Sequence, residues 1–208
     1  MRQTTAIRQI ARHPEAITPE LLDILKKMPN PPPQDLRLSD IFVRRCRLAG
    51  DRVDSHRGRF RTEFLPQLLK MANGAPLLIG HQKDQAPIGR FFGGQVESEA
   101  NGEGNCSYIV PFFYWPQGLR GSNDLRLLID SGIYSEASIS FVYKKPSCSK
   151  CGKDIRGCKH LNLLYGGDPD LHFYYDDVQQ VLEGSIVYRG SEPGTGFILC
   201  FSENDRIQ

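Results

Sequence analysis

Long apolar runs are missing from this sequence. No stretch approaches the roughly 18 consecutive apolar residues of a membrane-spanning helix, and the opening MRQTTAIRQIARHPEAI lacks the apolar core of a secretory signal. The expectation is a protein without a membrane partner, in a reducing cytoplasm. Net charge is also small, because 26 Lys and Arg against 24 Asp and Glu leave +2, and a dedicated nucleic-acid surface would show clustered positive charge. Arg44, Arg45 and Arg47 are the one basic cluster and read as a solvated strand face. No internal repeat and no βαβ alternation is visible, which argues against a solenoid and against a doubly wound parallel sheet. What remains is 208 residues with 39% apolar content, enough for one compact domain with tails.

The first 35 residues separate from the rest as a leader or arm. In TPELLDILKKM, Thr18 is placed to cap a short amphipathic helix that begins at Pro19 and carries Leu21, Leu22, Leu25 and Met28 on one side. The prolines of PNPPP then end it, and docking, removal and simple packing are all open roles for the leader. From residue 36 to 197 the pattern is mainly β with flanking helices, an α+β class. TEFLPQLLKMAN predicts a helix with Pro66 in its first turn and Gly74 as its stop. SNDLRLLIDSG predicts another, with Ser122 as N-cap. Strand-like runs lie at LRLSDIFVRRCRLA, PLLIGH, IGRFFGGQVESE, CSYIVPFFYW, ASISFVYKK and VQQVLEGSIVYRG. The aromatic run Phe112 to Trp115 reads as a core strand, with a substrate or subunit surface as the sharper alternative. Residues 198–208 form a tail, and the apolar FILCF at its start needs a partner.

Three polar residues on separate strands carry the candidate chemistry. His81 closes the apolar run PLLIGH, where a structural histidine is the ordinary reading. ASISF puts Ala137, Ile139 and Phe141 on one face and Ser138 and Ser140 on the other, ordinarily a solvated strand face. The late strand sets Leu182, Ile186 and Tyr188 against Glu183 and Ser185. A histidine, a serine and a carboxylate are the parts of an activated serine: a hydroxyl, a base for its proton, and a partner that orients the base.

Three blocks in order resemble one family. GAPLLIGHQKDQAPIGRFFGG resembles the histidine-bearing segment of the prohead proteases of tailed bacteriophages, EASISF their serine strand, and VLEGSIVYRGSEPG their late strand. DSHRGRF fits that family's opening segment, so the likeness spans roughly residues 50 to 197. The resemblance implies the β-barrel of the related herpesvirus assemblins. It implies His81 as base, Ser138 as nucleophile and Glu183 as the orienting residue, with backbone amides holding the oxyanion. Ser140 stands where the family commonly has Gly, and Gly184 where it commonly has a bulky aliphatic residue. The implied activity is serine endopeptidase cleavage of scaffold and major capsid protein, and of the chain itself, inside the assembling procapsid in the host cytoplasm. The implied partners are those substrates, with no specific nucleic acid and with homo-oligomerisation left open. A competing reading is a catalytically inactive, metal-stabilised virion protein that keeps the protease fold.

The six cysteines are unevenly placed. Cys148, Cys151, Cys158 and His160 give C-x2-C-x6-C-x-H within an insert at residues 146–162, and a closed set of four sulfur and nitrogen ligands matches structural zinc. Gly152 and Gly157 would let the loop turn tightly, and His172 is an alternative fourth ligand. Cys46, Cys106 and Cys200 stand alone and read as buried small apolar residues.

Overall fold

The computed structural model describes residues 18–101 and 104–198. Within them the chain forms helices α1 (Pro19–Lys26), α2 (Leu65–Ala72) and α3 (Ser122–Asp130). The strands are β1 (Ile41–Arg47), β2 (Ala49–Gly50), β3 (Gly58–Arg59), β4 (Pro76–Ile79), β5 (Gly89–Asn101), β6 (Gly104–Pro116), β7 (Glu136–Cys148), β8 (Phe173–Val187) and β9 (Gly196–Phe197). All nine strands belong to one mixed sheet, ordered β3-β8-β4-β5-β6-β1-β9, with β2 added on β6 and β7 added on β8. Strands β3 and β4 run parallel to β8, whereas β7 pairs with it antiparallel along a long ribbon.

The mainly β expectation with flanking helices holds, but the closed barrel does not. The sheet's two ends approach, and the Phe197 amide donates to the Ser135 carbonyl at 3.0 Å just before β7. No strand ladder joins β9 to β7 among the described residues, so the sheet stays open. The physical reason is length: β9 has two residues, and its two register pairs are both made to β1.

Apolar patterning places the helices. Leu65, Leu68 and Ala72 of α2 are buried in the main core with Phe91, Phe113, Trp115 and Ile186, and removing each large apolar side chain from water is worth about 1.5–3 kcal/mol. Pro66 sits in the first turn of α2, and Gly74 follows its end in the left-handed region at φ 86°. Helix α1 starts as the sequence suggests, with the Thr18 hydroxyl accepting the Leu21 amide at 3.3 Å. Its Leu21, Leu25 and Met28 pack with Ile41, Val43, Phe92 and Tyr114 in a second core on the sheet's other face. The helix of the leader is therefore docked on the domain; residues 1–17 lie outside the described residues.

Two local expectations need correction. Ser122 does not cap α3: Gly121 holds the cap position with φ 76°, and the Ser122 hydroxyl donates instead to the Pro116 carbonyl at 2.7 Å. Ser122 is buried beside Trp115, whose indole N–H donates to its carbonyl at 3.4 Å, so tertiary packing has claimed the side chain. Tyr188 lies beyond the end of β8 and is 93% exposed, leaving Ile186 as the buried anchor.

The aromatic run is core. Phe113 and Trp115 belong to the main core, and Phe112 and Tyr114 pack on the α1 side, as alternation along a strand buried on both faces requires. The arginine cluster is paired with carboxylates: Arg44 with Asp130, Arg45 with Glu97 and Arg47 with Glu99, at 2.7, 2.9 and 2.8 Å. Cys46 and Cys106 are buried. In the tail, Phe197 packs on Phe113 and Ile198 against the cluster of Cys106, Tyr108 and Val110, while the expected place of Cys200 and the rest of FILCF lie outside the described residues. No helix among the described residues is long and apolar enough to cross a membrane.

Candidate active site and metal centre

The β7–β8 ribbon builds one polar face. In its antiparallel register Ser138 stands opposite Ser185 and Ser140 opposite Glu183, and paired residues project to the same side. Ala137 and Ile139 turn the other way into the main core. Ser138 is 8% exposed and Glu183 2%, so this polar face is largely withdrawn from water.

His81 reaches that face from the neighbouring strand. Strand β4 pairs in parallel with Gly184–Ile186 and ends at Ile79. Gly80 and His81 then both adopt left-handed backbone, at φ 62° and 58°. For a residue with a side chain that conformation costs roughly 1–2 kcal/mol, and such positions persist where surrounding bonds hold them. Two bonds hold this one: the Gly80 amide donates to the Ile186 carbonyl at 2.8 Å, and the His81 amide to the Ser185 hydroxyl at 3.1 Å. The turn carries the imidazole over Glu183, with Nδ1 2.7 Å from Oε1. The second carboxylate oxygen, Oε2, accepts the Ser185 hydroxyl at 2.6 Å.

Charge and hydrogen bonding set the state of this carboxylate. Burial pushes the Glu183 carboxyl up, but the hydrogen bonds from His81 and Ser185 and the nearby Lys83 charge outweigh it and hold it below its ordinary range. An ionised Glu183 accepts from Nδ1–H, which leaves Nε2 as the ring's basic nitrogen. Ser140 is engaged otherwise, its hydroxyl accepting from the Lys83 ammonium at 2.9 Å. An ammonium donor withdraws electron density from that oxygen and offers no base.

The structure thus brings His81 against Glu183 and sets Ser138 on the same ribbon face. Two participants went without a role in the sequence, Ser185 and Lys83. Ser185 had a usable signal, since it lies two residues from Glu183 on a strand and must share its face. Lys83 had none, because only the turn after β4 brings it to Ser140. At Gly184, a Cβ would fall 2.5 Å from the Phe91 ring and 3.0 Å from Leu48, so Phe91 occupies the space a bulky residue would need.

The cysteine insert forms a second centre. Cys148 ends β7, and its amide and carbonyl close a tight loop with Lys153 and Gly152, both at 2.8 Å; Gly152 is left-handed at φ 69°, whereas Gly157 is not. A short helical turn, Ile155–Gly157, then delivers Cys158. The ligand atoms of Cys148, Cys151, Cys158 and His160 all lie within 4.8 Å of one another, and His160 Nδ1 is 3.5 Å from the Cys148 sulfur and 3.9 Å from that of Cys158. Tetrahedral bonds of about 2.3 Å to sulfur put ligand atoms roughly 3.8 Å apart, so one ion fits among these four. They could hold a metal ion. Burial pushes the Cys148 thiol up, but the amides of Lys150 and Cys151 and the neighbouring thiols outweigh it and bring it down. Burial and the adjacent Cys148 thiol push Cys158 up. His172 is not in the cluster: its Nδ1 bonds the Asp170 carbonyl at 3.1 Å, which answers the alternative of His172 as fourth ligand.

The insert is braced against the domain. Arg57, left-handed at φ 65°, donates to the carbonyls of Asp168, Pro169 and Leu171, and the Tyr165 hydroxyl to the His56 carbonyl. Ile155, Leu164 and Leu171 extend the main core beneath it. Compared with family models, curated proteins and solved structures, the chain matches none.

Proposed function

We propose that this chain is a serine endopeptidase of the prohead-protease type, acting on scaffold and major capsid protein during phage capsid maturation. The observation that carries the reading is the buried Glu183 carboxylate bonded at 2.7 Å to His81 Nδ1, on the face that also bears Ser138. In the mechanism this supports, Nε2 of His81 takes the Ser138 proton as its oxygen attacks the peptide carbonyl, and returns it to the departing amine. Glu183 holds the ring in the tautomer that makes this direction of transfer work and stabilises the imidazolium. Water then releases the acyl group by the same base.

For the insert, the donor set of three thiolates and an imidazole favours zinc, and four protein ligands leave no position for a reacting water. Its role in this reading is structural, pinning the excursion between the serine strand and the glutamate strand.

The test is intact mass of the chain incubated with its cognate coat and scaffold proteins. Wild type and Ser140→Ala should cut, and Ser138→Ala should lose cleavage by about 10³-fold or more. Uncut substrates in all three samples would reject the enzyme and favour the inactive virion protein.

A further inference from the structure

The Ser185 hydroxyl is the joint between the two halves of the site. It is 1% exposed and used in both directions, donating to Glu183 Oε2 at 2.6 Å and accepting the His81 amide at 3.1 Å. Its two bonds touch different things: one fixes the carboxylate's rotation, and the other holds the left-handed backbone from which the imidazole hangs. Each has one further tie, the carboxylate to His81 Nδ1 and the turn to the Ile186 carbonyl, and Ser185 links the two. Without the first, Oε2 loses its described donor and the carboxylate turns about its χ3 axis, away from the plane that serves Nδ1. Without the second, the strained His81 turn loses one of its two ties to β8. Ser185 is also the residue directly opposite Ser138. We propose that Ser185 is a positioning residue of the Ser138–His81–Glu183 site, setting the orientation of Glu183 and of His81 through one hydroxyl.

The inference rests on the enzyme reading for its catalytic meaning, but its geometric content can be read without turnover. The charged and titratable groups around the imidazole are Glu183 on β8 and Lys83 on its own loop. With Oε2 undonated and the carboxylate free to turn, the bond from His81 Nδ1–H to Oε1 weakens and its proton exchanges with water faster.

The experiment is NMR detection of the hydrogen-bonded His81 Nδ1–H proton and its exchange with water, assigned by its disappearance in His81→Gln, in the full-length wild type, Ser185→Ala and Ser185→Thr. Thermal melts run alongside. The expected result is loss of that resonance, or at least about tenfold faster exchange with water, in Ser185→Ala, with Ser185→Thr close to wild type. Cleavage assays on the same proteins should show kcat falling about 10²-fold in Ser185→Ala with KM little changed, and recovery in Ser185→Thr. A folded Ser185→Ala whose His81 Nδ1–H exchanges as in wild type overturns the inference. Should Ser185→Ala fail to fold, a Ser185→Thr that shows the same Nδ1–H exchange and cleavage as Ser185→Cys would overturn it equally, since the cysteine thiol is a poor substitute for either bond. A wild type that cuts nothing while its His81 Nδ1–H resonance is still lost in Ser185→Ala would reject the enzyme reading and leave the positioning geometry standing.

Discussion

Glu183 and Glu192 are both buried carboxylates, and their surroundings drive them in opposite directions. Glu183 has an imidazole, a hydroxyl and a nearby ammonium to offset burial, and is held low. Glu192 accepts the amides of Gly50 and Arg52, at 2.7 and 3.1 Å, and faces the like charges of Asp54 and Asp51. Burial therefore wins, and its carboxyl is pushed up to about 8 from an ordinary 4.5. A folded state that binds a proton more tightly than the unfolded chain loses stability as pH rises through the window between those values, here from about 4.5 to about 8, and then levels off. Urea midpoints measured across that range should fall for wild type, and the decline should be reduced in Glu192→Gln; superimposable pH profiles would contradict this assignment. For Glu183 the sign reverses: its stabilisation is present above 4.5 and is lost as pH falls through its lowered folded value. At Gly184 the question is space. Gly184→Val would drive a side chain into Phe91 and should lower stability by about 1–3 kcal/mol in chemical denaturation, whereas a melting temperature equal to wild type would show that Phe91 yields freely.

Among the elements, the serine strand was legible because Ala137 and Ile139 face the main core and alternate with Ser138, although the register shifts after Ser140 and the Ser138 face is buried where a solvated one is the ordinary reading. The late strand was legible only in part: Ile186 is core and Glu183 and Ser185 share the polar face, but a register shift before Glu183 puts Val181, not the expected Leu182, in the main core. What alternation cannot give is the turn that carries His81. Its placement depends on two successive left-handed residues and on bonds to Ile186 and Ser185, more than a hundred positions away. Caps divide in the same manner: Thr18 bonds locally and was readable, whereas Ser122 was taken by Trp115 and Pro116 through packing. The cysteine insert was readable because ligand spacing is itself the signal. It closes a loop between β7 and β8, so a bound ion should stabilise the whole ribbon. Purified protein should contain about one zinc per chain by elemental analysis, and Cys151→Ser or a strong chelator should remove it and lower the melting temperature. Full stability and unchanged metal content in Cys151→Ser would contradict the assignment of these ligands.

At the scale of the whole molecule, composition and strand pattern identified a mainly β domain with helices on it, and the leader's helix proved to be packed on the sheet. Closure into a barrel was not legible, because it turns on whether a two-residue strand pairs on both its edges. The open order β3-β8-β4-β5-β6-β1-β9 nonetheless sets β4, β8 and β7 side by side, and that adjacency brings His81 onto Glu183 across a hundred positions of sequence, with Ser138 on the same ribbon face. In the function proposed above, this adjacency makes Ser138 a nucleophile. That claim is tested most directly by exposing the full chain to a fluorophosphonate and mapping the adduct by peptide mass. The account predicts one adduct, on Ser138, retained in Ser140→Ala and lost in both His81→Ala and Ser138→Ala. An adduct on Ser140, or labelling of Ser138 that proceeds equally fast without His81, would contradict it.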